Sequence, residues 1–146
     1  MNMRNLFVIF GVIILAAAAV WYKDYRSMPA NMPMGGDMSA APIVNDINIP
    51  QLTAVQRVGE RAFNENCAAC HGENASGQEG VAPPLVHKIY EPSHHGDASF
   101  RLAAQNGVRA HHWPYGDMPP VPDITERDVN NIIAYVRALQ RANGIF

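Results

Sequence analysis

Both cysteines of this 146-residue chain lie in one pentapeptide, Cys67-Ala68-Ala69-Cys70-His71. That leaves few ways to use them. A structural zinc site wants four protein ligands, normally with a second cysteine pair, and no other cysteine exists. A thioredoxin-type C-x-x-C belongs in a βαβ setting, and the surrounding sequence supplies none. A disulfide across two intervening residues closes too small a loop to stabilise much. The pattern C-x-x-C-H is the attachment signature of c-type haem. One turn of backbone presents two thiols, Cys67 and Cys70, to the two vinyl groups of a macrocycle. The imidazole of His71 follows directly, and histidine is the usual proximal ligand of haem iron.

The remaining sequence divides into an appendage and one small domain. Residues 6–22 carry no charge and end in Trp21 and Tyr22, followed by Lys23. As a helix they span roughly 26 Å, near the short end for a bilayer crossing, and the aromatic pair suits the headgroup layer. A single transmembrane anchor over residues 1–26 is therefore expected. A cleaved signal peptide competes, because alanines 16–19 suit a signal peptidase, but the apolar run continues beyond them. Residues 27–50 are rich in Pro, Gly, Ala, Ser and Asn and read as a flexible linker. Met28, Met32, Met34 and Met38 fall within it, and thioethers are soft ligands that suit Cu(I). The plainer reading is a linker that happens to be rich in methionine. The net charge of −2 and only two lysines, Lys23 and Lys88, argue against a nucleic-acid interface.

Residues 51–146 read as an all-α domain. Thr53 with Gln56 forms a capping box, and Val55, Val58, Ala62 and Phe63 recur at helical spacing up to about Asn66. A shorter helix is expected from Asp97 to Asn106, closed by Gly107. The last begins at Thr125, with Asp128 three residues on. Its expected stripe is Val129, Ile132, Ile133, Val136 and Leu139, and Gly144 stops it. No strand pattern emerges. So few large apolar side chains make a thin core, which favours a domain that leans on a cofactor.

With these features the chain resembles the class I c-type cytochromes over essentially all of residues 51–146. The resemblance implies three to four helices around one covalently bound haem c. It matches Gly59 and Phe63 on the first helix to Tyr135 on the last. It gives the Pro83 carbonyl the task of orienting the His71 ring, sets Leu85 against the macrocycle, and makes Met118, followed by Pro119, the sixth iron ligand opposite His71. Met118 is also the only methionine of residues 51–146, framed by Gly116 and a double proline. The implied role is a non-enzymatic carrier of single electrons, tethered to the inner (cytoplasmic) membrane with its domain facing the periplasm. Implied partners are a quinol-oxidising complex, a terminal oxidase or a dehydrogenase. Two alternatives stand beside it: a haem subunit of a periplasmic oxidoreductase, and a cytochrome involved in copper handling. The second rests on the linker methionines and on two histidine pairs, His94/His95 and His111/His112, since imidazole binds copper and zinc. His87 completes the histidines after His71. With 8 basic and 10 acidic residues, the domain lacks a lysine ring, so docking of modest salt dependence is expected.

Overall fold

The computed structural model describes residues 40–146. The expected anchor over 1–26 and the linker methionines lie outside them. Among the described residues, no helix is long and apolar enough to cross a membrane.

The described residues are helical, without strands; three isolated bridges are the only extended pairings among them. Helix α1 spans Ala54–Asn66, α2 Ala68–His71, α3 Asp97–Asn106 and α4 Glu126–Ala142, with 3-10 turns at Glu73–Ala75 and Lys88–Tyr90. The capping box opens α1: the Gln56 backbone N–H donates to Thr53 Oγ1, and the Gln56 side chain accepts from the Thr53 N–H at 2.8 Å. Thr125 caps α4 by accepting from the Asp128 N–H.

Helices α1 and α4 form the spine. Phe63 and Tyr135 are fully buried, with ring centroids 5.7 Å apart and planes tilted by 56°. Val136 and Leu139 complete this core with Ala62, Ala75, Val86 and Ile132. The helices meet at Gly59, where a Cβ would lie 1.9 Å from the Asn131 carbonyl oxygen. That contact corrects the expected face of α1. Ala62 and Phe63 are buried, but Val55 and Val58 are 55% and 39% exposed. The buried line runs through Gly59, which apolar periodicity does not weigh. The α4 stripe matches expectation, with Val129, Ile132, Ile133, Val136 and Leu139 all buried.

The packed unit also takes in residues before Gln51. The Val44 N–H donates to the Ser76 carbonyl at 3.0 Å, and the Ala41 carbonyl accepts from the Glu79 N–H at 2.9 Å. Asn48 and Asn143 exchange side-chain and backbone hydrogen bonds across the end of α4.

A buried arginine on α4 organises the segment ahead of α3. Arg137 donates to the Asp97 carboxylate at 2.9 Å, the Tyr90 carbonyl at 2.7 Å and the His95 carbonyl, and its guanidinium lies 4.8 Å from the centroid of the Phe100 ring. Gln140 accepts from Arg137 and donates to the Leu85 and Tyr90 carbonyls. Nothing in the apolar stripe announces these two polar residues, yet Arg137 is 6% and Gln140 1% exposed.

Candidate haem-binding site

Cys67 ends one helix and begins the next. Its N–H donates to the Phe63 carbonyl at 2.8 Å, closing α1. Its carbonyl accepts from the His71 N–H at 2.9 Å, so α2 is a single turn carrying Cys70 and His71. The Gln78 side chain donates to the Ala68 and Ala69 carbonyls, tying that turn to the loop after it.

The two cysteines are not joined in a disulfide. Burial, with the neighbouring Cys70 adding to it, pushes the Cys67 thiol up to about 11. His71 is 8% exposed, and burial lowers its pKa below the ordinary histidine value against the opposing effect of a backbone hydrogen bond. That bond runs from Nδ1 to the Pro83 carbonyl at 2.8 Å. A carbonyl only accepts, so the neutral ring carries its proton on Nδ1 and keeps a bare lone pair on Nε2, the tautomer a metal ligand needs.

Met118 is half-buried, in a loop fastened to the end of α3. Met118 and Val108 exchange both backbone hydrogen bonds at 2.9 Å. Gly107 makes this approach feasible: its φ is +73°, and a Cβ there would lie 2.4 Å from the Met118 carbonyl oxygen. The Asp117 carboxylate accepts from the Ala110 N–H at 2.8 Å, closing the loop between them.

Cys67, Cys70, His71 and Met118 line one cavity of about 520 Å³. Its walls are largely apolar, with Leu85, Phe100, Ala104, Val129, Ile132 and Ile133 among them. Volume and lining suit a flat organic cofactor. Among the described residues, one buried side-chain polar atom remains unmatched. Trp113, another lining residue, has its Nε1–H buried without a hydrogen-bond partner. Tyr90 lies close enough to be affected by the indole, but not in hydrogen-bonding geometry. An indole N–H is donor only, so this orphan calls for an acceptor from a bound group, which a haem carboxylate would supply. The residues present therefore fit haem. Neither Trp113 nor Tyr90 belongs to a sequence motif, so only the folded structure reveals them at the site. Of the remaining histidines, His87 stands apart as the cap of a 3-10 turn, while the two pairs come together beside the cavity.

A helical domain whose C-x-x-C-H turn opens onto an apolar cavity defines a c-type haem protein. The family model described as Cytochrome c matches residues 57–140, and the chain belongs to that family, whose haem c is covalently bound. Curated relatives agree. The Cbb3-type cytochrome c oxidase subunit FixP of Rhizobium etli is 33% identical over 94 residues, covering 63% of this chain and 30% of the relative. The Cbb3-type cytochrome c oxidase subunit CcoP of Rubrivivax gelatinosus is 35% identical over 96 residues, covering 64% and 28%. The CcoP subunit of Azospirillum brasilense is 53% identical over 38 residues, 23% of this chain and 13% of the relative. The matches thus span less than a third of each of these proteins.

Proposed function

We propose that this protein is a membrane-tethered monohaem cytochrome that passes single electrons to or from a respiratory complex, with His71 and Met118 as axial ligands. The bound haem supplies a one-electron iron couple. The chain's residues hold, orient and shield it. Cys67 and Cys70 would hold the macrocycle through thioethers. The Pro83 carbonyl holds the His71 ring in the ligating tautomer, and the Val108 pairing holds the Met118 backbone. Apolar walls exclude water, which limits reorganisation around a changing charge. A thioether opposite an imidazole raises the reduction potential relative to a second imidazole and leaves no position for an exogenous ligand.

The observation that carries the ligand assignment is the shared cavity. His71, its Nε2 left bare, and the only methionine of residues 51–146 line the same space. The tether rests on the uncharged run of residues 6–22, with the domain on the periplasmic side, where haem c is attached in the family it belongs to. A terminal oxidase is the favoured partner, because the relatives are named as oxidase subunits. The alternative is a permanent haem subunit of an oxidoreductase, which would co-purify with a stoichiometric partner under mild detergent.

The visible spectrum tests the ligand set. A low-spin spectrum with the weak near-infrared methionine–iron(III) band, and a ferrous form unchanged by carbon monoxide, is expected. Met118→Ala should abolish that band and admit carbon monoxide. A wild-type ferrous protein that binds carbon monoxide readily would overturn the assignment.

A further inference from the structure

Four histidines from the two loops that flank α3 converge beside the haem cavity. His94 and His95 precede α3; His111 and His112 precede Met118. Ring nitrogens of His94, His95 and His112 all lie within 4.8 Å of one another. The His94 and His112 Nε2 atoms are 3.4 Å apart. Two nitrogens bound tetrahedrally to one ion at about 2.05 Å would stand about 3.3 Å apart, so this edge already has ligand spacing.

The surrounding bonds orient the rings as ligands need. His95 commits Nδ1 to the Ile89 carbonyl at 2.7 Å, leaving Nε2 as its free nitrogen. Arg137, from α4, donates to the His95 carbonyl and fixes the backbone that carries the pair. His111 commits Nδ1 to the Arg109 carbonyl at 2.9 Å, and its ring centroid is 4.2 Å from that of His112. Carbonyl partners of this kind set tautomer and ring direction in metal-binding histidines.

We propose that His94, His95 and His112 form a site for a divalent first-row transition cation, Zn²⁺ or Cu²⁺, with the fourth position open to water or His111. Imidazole suits both ions. His95, His111 and His112 also line the cavity, so the ion would sit at its margin and clamp the loop before α3 to the loop carrying Met118. The site does not depend on the electron-carrier reading.

The experiment uses the full chain with haem attached, stripped of metal by a chelator and titrated with Zn²⁺, which is redox-silent. One ion per chain is expected, with a raised melting temperature. Replacing both ends of the close edge, His94→Gln with His112→Gln, should weaken binding at least tenfold and abolish the melting shift. A second variant, Met28→Leu, Met32→Leu, Met34→Leu and Met38→Leu together, should bind as wild type. Cu²⁺ should displace Zn²⁺ from the same site. Unchanged affinity in the histidine variant, loss of binding in the methionine variant, or wild-type binding only at millimolar Zn²⁺ would overturn the proposal. None of these outcomes bears on the carbon monoxide test.

Discussion

At the scale of single residues, the domain repeatedly buries a polar group beside one dedicated partner. Tyr135 is fully buried, and its hydroxyl donates to Asn74 Oδ1 at 3.1 Å. Burial, assisted by the Glu60 carboxylate, raises its pKa from 10 to about 12. The folded state therefore holds the phenolic proton more tightly than the unfolded state does. That contribution is complete below pH 10 and is lost as pH rises through 12. Two units correspond to about 2–3 kcal/mol. Tyr90 is raised by burial to about 12 as well, and Tyr115 is also raised, so Tyr135 carries only part of the alkaline loss. Tyr135→Phe should cost about 1 kcal/mol at neutral pH through the missing hydrogen bond. It should also reduce the stability lost between pH 10 and 12. Denaturant titrations at several pH values measure both effects.

At the scale of elements, two positions decide how helices meet. At Gly59 a Cβ would collide with the Asn131 backbone, which cannot swing aside as a side chain can. Gly59→Ala should destabilise by about 2 kcal/mol, overpacking outweighing the better helix propensity of alanine. Arg137→Met should cost about 3 kcal/mol, because the Tyr90 and His95 carbonyls and the Gln140 side chain lose a buried charged donor. The denaturation midpoint of the haem-loaded protein reads out both. These positions also mark where the sequence stops being legible. Both caps and the α4 stripe are encoded locally, within a few residues, and can be read from the chain alone. So can the C-x-x-C-H turn, because its chemistry requires contiguous residues. The true face of α1 depends on a glycine, which carries no hydropathy signal. Arg137 takes its partners from a segment 40 to 47 residues away. The gathering of His94 with His112 and the docking of residues 41–48 are likewise long-range, and only the tertiary structure shows them.

At the scale of the whole molecule, the buried apolar residues among those described form two unequal groups. One is the α1–α4 core around Phe63, Tyr135, Val136 and Leu139. The other comprises Ala104, Val129 and Ile133, all three of which line the haem cavity. Helix α3 buries only Ala104, so apart from the Arg137 contacts to Asp97 and Phe100 its attachment depends on what fills that cavity. Without a group filling the 520 Å³, the apolar side chains that line it lose their packing partners on that side. The haem-free chain therefore should not keep the native packing. In a Cys67→Ala, Cys70→Ala variant isolated without haem, the α1–α4 pair should retain partial helicity while α3 and the Met118 loop lose their fixed positions. Circular dichroism should show reduced far-ultraviolet intensity, little near-ultraviolet signal and no sharp thermal transition. A cooperative melt with native near-ultraviolet bands would mean that the protein alone closes its core, and that the cavity is a preformed receptacle rather than half of a shared interior.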